Sequence, residues 1–419
     1  MTHSDRDSAN SELQRNWPLI LSSGFGIACS SIVLPFYTMS ALVGPVTSEF
    51  GWQRSDMLFC LAFSSGLGAL TAPLVGALID RFGARAVALP GLGGLSAGLI
   101  LAATVDGQLW LMYLAYALMA ILGSGTIPVT WSRAITTNFS QRRGLALGLA
   151  LSGTGICSIF APSYTVWLTD NYGWRIAYLG LAALPLFLAA PIVFAWFHPD
   201  QESAEKQLAD VVDRSWGYTL AEAFRQYRYW ALLVSVFAFY LAVSGLVPNL
   251  IPALTESGVS RAEAASVLGL FGLAIIGGRL IVGYLVDRFW APGVAAITMC
   301  LPVVGALLLT GEQSYLTAAL AVVMIGVAGG AELDLMAFLA AKYFGLKHYA
   351  KIYAILYAAL AICNGSASWI FGKIYESTQS YDLAFQAGAA LFGFSALLML
   401  TMGRYPPSSG SRSNRSLAL

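Results

Sequence analysis

The chain has 419 residues, of which 57% are hydrophobic and only 11% charged, and its mean hydropathy is +0.68. Soluble domains carry roughly 25% charged residues, so this composition excludes an ordinary water-soluble protein and puts much of the surface in lipid. A net charge of +1 excludes bulk electrostatic nucleic-acid binding, and five scattered cysteines with three distant histidines offer neither metal-ligand spacing nor a disulfide frame.

Residues 1–16 are polar, lack the pattern of a cleavable signal and read as a tail. Apolar runs of membrane-spanning length follow at 17–46, 56–79, 85–105, 108–134, 143–168 and 174–197. A polar stretch over 198–228 separates these from a second series at 229–255, 262–286, 291–310, 314–341, 349–372 and 382–403. Within the polar stretch, Thr219 and Glu222 fit a capping box opening a short helix on the membrane surface, and the stretch as a whole reads as a tether. The serine-rich end, 406–419, has the composition of a disordered tail. The expectation is an all-α integral membrane protein with twelve transmembrane helices in two six-helix bundles, 17–197 and 229–405.

Charge orients the spans. With the N-terminus in the cytoplasm, 17 of the 23 basic residues fall on the cytoplasmic side, while Arg54, Arg175, Arg261 and Lys373 fall on the other. The positive-inside rule therefore predicts that both termini are cytoplasmic.

The halves repeat at one offset. Gly76-Ala-Leu-Ile-Asp80-Arg81-Phe82 returns 207 residues later as Gly283-Tyr-Leu-Val-Asp287-Arg288-Phe289. Arg54 and Asp56 return as Arg261 and Glu263, and Ala177 and Tyr178 return as Ala384 and Phe385. Six spans per half give both copies the same topology, a parallel repeat that encloses a midplane site.

The loop Gly76-x-x-x-Asp80-Arg81-x-Gly83-x-Arg85 resembles the signature loop of the major facilitator superfamily, and the two-bundle plan extends the resemblance over nearly the whole chain. The run from Asn138 to Gly153, with Arg142, Arg143, Gly144 and Gly148, is similar to the fifth-span motif of the monocarboxylate transporters and their oxalate/formate relatives. That branch's first-span motif is reduced here to Trp17. Gly76, Asp80, Arg81, Gly83 and Arg85, with Asp287 and Arg288, are read as a gating motif: charged groups at helix ends can join neighbouring helices in one conformer and release them in another.

Ionisable residues inside spans carry the sharpest signal, because each costs several kcal/mol unless paired or wet, about 2.5–3.5 on the insertion scale. Four occur. Arg133 lies near the cytoplasmic end of the fourth span and is a possible cavity cation. Glu332 stands ten residues, about 15 Å, before Lys342 and so near the midplane; Asp334 points about 200° away around the same helix. One of the two carboxylates is expected to face the cavity and couple protons. Arg279 lies eight residues, about 12 Å, before Asp287, too deep to snorkel easily, and no working pH discharges a guanidinium. The resemblance aligns Arg279 with the eighth-span arginine that engages the substrate carboxylate in monocarboxylate transporters. Ile275 stands where that family has an aspartate, and Phe36 where it has a lysine. Gly277 and Gly278 are expected to leave room beside the guanidinium. Tyr37, Trp131, Tyr240, Asn249, Tyr353, Tyr357 and Asn364 complete the expected substrate set, although each aromatic is equally compatible with packing.

The predicted function is secondary transport of a small organic carboxylate with a proton across a bacterial-type inner membrane, by a monomer surrounded by lipid. No nucleotide-binding, metal or Ser/His/Asp constellation occurs, so neither cofactor nor enzymatic activity is expected. Oxalate/formate-type exchange and efflux of amphipathic compounds are the alternatives. Exchange is disfavoured because Lys351 and Lys373 sit only at the ends of the eleventh span.

Overall fold

The computed structural model describes residues 3–139, 143–199, 217–345 and 348–405. The tether segment 200–216, Arg142 and the tail 406–419 lie outside the described residues, as does the side chain of Asp287. Helices dominate throughout. Eleven are long and apolar enough to span a membrane and a bent pair supplies a twelfth. They are α1 (Gln14–Phe50), α2 (Arg54–Phe82), α3 (Ala84–Ala103), α4 (Leu109–Leu122 with Ser124–Ile135), α5 (Leu145–Tyr172) and α6 (Trp174–Trp196) in the first bundle. The second comprises α7 (Tyr227–Glu256), α8 (Arg261–Val286), α9 (Ala291–Leu308), α10 (Tyr315–Phe344), α11 (Lys351–Thr378) and α12 (Asp382–Thr401).

Large apolar side chains such as Phe160, Phe187, Ile297, Leu316 and Leu397 point outward, as lipid contact requires. Exposed Trp196, Trp230 and Trp290 stand near the face rich in basic residues, and Trp110 and Trp167 near the opposite face, the depth at which amphipathic rings settle. Small residues close the interior. A Cβ on Gly94 would meet the Leu122 carbonyl oxygen at 2.5 Å, and one on Gly98 the Met119 Cγ at 2.5 Å, so α3 and α4 touch backbone to side chain.

Several spans are interrupted. Helix ends at Ala28 and resumes at Val33 within α1; a 3₁₀ turn at Ser124–Thr126 bends α4 by 55°; another interrupts α7 at Val247–Asn249. In lipid the freed backbone groups need partners. The first two breaks face each other and supply them. The Ser31 N–H donates to Thr126 Oγ1 at 2.9 Å, and Ser64 Oγ donates to the Ser31 carbonyl at 2.9 Å.

The first helix begins at His3 and so takes in most of the polar leader. The Thr219–Glu222 capping box forms, but it opens only a single turn, Leu220–Phe224. That turn is docked rather than merely laid on the surface, because the Tyr218 N–H donates to the Phe344 carbonyl at 2.8 Å. The Thr219 backbone N–H, followed by its hydroxyl, holds the Glu222 carboxyl below its usual range.

The bundles meet along two seams. Where α5 crosses α8, a Cβ on Gly155 would lie 2.7 Å from the Gly272 carbonyl oxygen, and Ser158 Oγ donates to the Leu268 carbonyl at 3.0 Å. Where α2 crosses α11, a Cβ on Gly365 would lie 2.9 Å from the Ala62 Cα. Toward the face opposite the basic one, the Ile251 N–H donates to Ser40 Oγ at 2.9 Å, tying α7 to α1.

A candidate substrate site around Arg279

Close packing of α8 on α10 places the site. Side chains on Gly326, Gly278 and Gly330 would collide with α8 or α10 backbone at Phe271, Val327 and Ile275 respectively. Gly278 is therefore consumed by helix packing and leaves no room beside the guanidinium, contrary to expectation. Gly277 does leave it, since a Cβ there would meet nothing within 4 Å.

This approach carries Arg279 to the midspan of α10. Its side chain is 6% exposed; Nε donates to the Gly330 carbonyl at 3.3 Å and lies 3.1 Å from Asp334 Oδ2. Nη1 is buried and has no hydrogen-bond partner. A buried guanidinium nitrogen without an acceptor forfeits its hydration, so the position is suited to an anion arriving from elsewhere. Asp334 is 42% exposed although it sits near midspan. Glu332, two residues away, is 1% exposed and among the described residues has no ion-pair partner.

Three tyrosines close around these groups. Tyr240 of α7 is buried with an unpartnered hydroxyl, within electrostatic range of Glu332, Tyr353, Arg279 and Asp334. Tyr37 of α1 crosses from the other bundle, within electrostatic range of Arg279 and 6.3 Å from the Phe271 ring. On α11, Tyr353 stacks on Tyr349 at 5.4 Å and on Tyr357 at 6.4 Å, a ladder at helical spacing that starts near the basic face. The fold thus gathers Arg279, Glu332, Asp334, Tyr37, Tyr240 and Tyr353, with Tyr357 stacked one turn further along α11.

Other expected members lie elsewhere. Trp131 is fully buried in the first bundle: its indole donates to the Thr126 carbonyl at 2.8 Å, packs 4.9 Å from Phe197 and fills the space left by Gly26. It cannot touch a solute between the bundles. Asn364 accepts a hydrogen bond from Ser244, and Asn249 Nδ2 donates to the Gly245 carbonyl at 2.8 Å, so both brace the second bundle around the break in α7. The Asn249 Oδ1 is left unpartnered. Arg133 is not a cavity cation, since it forms an ion pair with Asp80 and links α4 to α2.

That pair also revises the gating loop. Asp80 bonds Arg133, 53 positions away, while Arg81 lies over the Phe82 ring at 5.2 Å. Arg85 ties α3 to the end of α6, with Nη1 2.8 Å from His198 Nε2 and Nη2 donating to the Phe194 carbonyl at 2.5 Å. Gly83 has a φ of 85°, a left-handed value that favours glycine at the α2–α3 turn, and Gly76 has open space beside it. In the second repeat, Arg288 lies over Tyr284 at 4.1 Å. Phe271 and the Gly330 carbonyl join the site without any signal in sequence, because an apolar ring and a backbone oxygen look alike in every span.

The sequence profile of the Major Facilitator Superfamily matches residues 17–331 and 232–418. The chain belongs to that superfamily. It is a multi-pass membrane transporter of this fold and not an enzyme. Among Major Facilitator relatives, the uncharacterized transporter YhjX of Escherichia coli is 26% identical over 332 residues, 78% of this chain and 81% of that one. Human monocarboxylate transporter 12 is 27% identical over 348 residues, 74% and 66% of the two chains. Human monocarboxylate transporter 11 is 28% identical over 254 residues, 59% of this chain but about half, 51%, of that one. A crystal structure of a bacterial homologue of the human lysosomal transporter Spinster, in an inward-facing and occupied conformation, superposes with a TM-score of 0.66. At 15% identity, and covering 94% and 97% of the two chains, it shares the fold alone.

Proposed function

We propose that the chain carries a small organic monocarboxylate together with a proton, by alternating access of two bundles, 17–197 and 229–405, around a site at Arg279. The observation that carries this reading is the buried Arg279 Nη1 without an acceptor beside a guanidinium otherwise held by Asp334 and Gly330. A carboxylate oxygen satisfies that nitrogen with a charge-assisted hydrogen bond, and the Tyr240 hydroxyl is a second donor in the same neighbourhood. Kinship with monocarboxylate transporters supports the substrate class.

Proton coupling rests on the two carboxyls. Asp334 shares the cation that substrate would engage, so protonation of Asp334 frees the guanidinium and arrival of substrate compensates it. Glu332, buried without a cation, is the alternative carrier. The basic-residue asymmetry favours both termini in the cytoplasm of a cell whose inner membrane holds the protein as a monomer. Dicarboxylate exchange gains nothing from the geometry: Lys373 is engaged at the far face by Gln53 at 2.9 Å and Glu376 at 2.8 Å.

Uptake into liposomes containing purified protein tests the proposal. Acetate, lactate, pyruvate and benzoate are offered with and without an inward proton gradient. Accumulation of at least one that collapses when the gradient is dissipated supports symport; gradient-independent counterflow alone would favour exchange.

A further inference from the structure

The run Val247-Pro248-Asn249-Leu250-Ile251-Pro252 at the break in α7 sets two prolines four residues apart. Neither has an N–H, so the carbonyls of Ser244 and Pro248, each four residues earlier, lose the donor that an unbroken helix supplies. Side chains answer part of that loss: Ser368 Oγ of α11 donates to the Ser244 carbonyl at 2.6 Å. The Ile251 N–H is spent outside its helix, on Ser40 Oγ of α1 at 2.9 Å. Two amides and two hydroxyls stand around the break, Asn249 and Ser244 of α7 with Asn364 and Ser368 of α11, and Ser244 Oγ donates to Asn364 Oδ1. Asn249, Ser244 and Ser368 are at most 1% exposed. The Phe371 ring seals one side, since a Cβ on Gly245 would meet it at 2.3 Å. Asn364 alone of the four is partly exposed, which leaves a way in.

The orientation of the Asn249 amide is set by its acceptors. Nδ2 donates to the Gly245 carbonyl at 2.8 Å and lies 3.5 Å from the Ser368 carbonyl, so Oδ1 is the end turned away from them. That Oδ1 is buried and has no hydrogen-bond partner among the described residues. An unpartnered hydroxyl can rotate its proton onto a neighbouring carbonyl, but an amide oxygen only accepts, so its burial is costly until a donor or a cation reaches it. The first half of α7 ends at Leu246, and the negative end of its dipole is directed at the break. We propose that the break in α7 is a site for a monovalent alkali cation, with Na+ held by Asn249 Oδ1 and by oxygens drawn from Asn364, Ser244, Ser368 and the Pro248 carbonyl. Carbonyl and hydroxyl oxygens replace the hydration shell of such an ion, and the interrupted stretch of a membrane helix is where carbonyls are available for it. Divalent ions are held by sets that include carboxylates, and none belongs to this one. The site requires neither Arg279 nor a carboxylate solute, so it stands or falls apart from the proposed transport reaction.

The test uses purified full-length protein in detergent, with choline chloride holding the ionic strength constant and no carboxylate solute added. Radiolabelled Na+ should bind saturably and be displaced by unlabelled Na+ but not by choline, and the melting temperature should rise as NaCl replaces choline chloride. Loss of one oxygen that meets a charge should weaken Na+ binding by about tenfold or more in Asn249→Leu and in Asn364→Leu, and the Na+-dependent rise in melting should shrink with it. No saturable binding, with identical melting in NaCl and choline chloride, overturns the site. So does binding that survives Asn249→Leu and is lost in Asp334→Asn, which puts the cation on the carboxylate instead. Should Asn249→Leu fail to fold, Ser368→Ala and Asn364→Ala decide: weakened Na+ binding in either supports the proposal and unaltered affinity in both refutes it.

Discussion

Replacing Arg279 by Ala separates a substrate role from a structural one, because the two roles are read by different measurements. The structural loss is limited. The Asp334 carboxylate is 42% exposed, so losing its cation does not leave a fully buried charge behind, and the cost falls short of the about 3–5 kcal/mol of breaking a buried pair. The Gly330 carbonyl loses one long hydrogen bond of 3.3 Å. The binding loss is read separately: a hydrogen bond from a charged, buried donor to a carboxylate is worth about 1.5–3 kcal/mol, or roughly 10- to 150-fold in Kd. Arg279→Lys retains the charge but not the planar fork that serves Asp334 through Nε and leaves Nη1 free, so its affinity should fall between the two. Equilibrium binding of the best carboxylate from the liposome panel, measured in detergent beside thermal unfolding, provides both numbers. Near-parental Kd in a folded Arg279→Ala protein would remove Arg279 from the substrate site. A collapse of thermal stability without any binding-competent fraction in Arg279→Lys would make it structural.

Glu332→Gln or Asp334→Asn, one of the two, should abolish proton-driven accumulation while sparing exchange of substrate across liposomes; if the double variant still concentrates substrate on a proton gradient, the carrier lies elsewhere. Asp80→Asn should slow turnover with equilibrium binding nearly unchanged, since the Asp80–Arg133 pair is a connection between α2 and α4 remote from Arg279; loss of binding with normal turnover at saturation would contradict that. Trp131→Ala should cost about 3–5 kcal/mol of stability, read by denaturant or thermal unfolding, and leave the affinity of the folded fraction alone. Gly330→Val should fail to assemble or lose more than about 1–3 kcal/mol, because its side chain has only the Ile275 backbone to enter; normal yield and melting would refute the α8–α10 contact.

The span count, the two bundles and the repeat were legible because lipid admits few polar residues and every span must be long and apolar. Arg279, Glu332 and Asp334 were legible for the same reason: a charge in a span is conspicuous. Which carboxylate meets the arginine was not, because it depends on how α10 is turned against α8, and that rotation is set by Gly278, Gly326 and Gly330 fitting a partner backbone. Trp131 misled because Gly26 and Phe197, which enclose it, stand far away in sequence. Arg133 misled because its carboxylate lies 53 positions off in another span. Arg54 and Arg261 were visible as a recurrence, but nothing in the sequence said that each would pair with a carboxylate of the other half, Glu256 and Asp170 respectively.

The crossing of α5 and α8 at Gly155 and Gly272 has a mechanical consequence. Each glycine seats an isoleucine of the other helix, Ile276 on Gly155 and Ile159 on Gly272, so the two backbones come close around two paired knobs and one half can turn against the other about that point. The rims, far from that axis, travel furthest, and leverage there is greatest. Tuning such a machine for a different working balance requires changes at its edges, while its axle stays as it is.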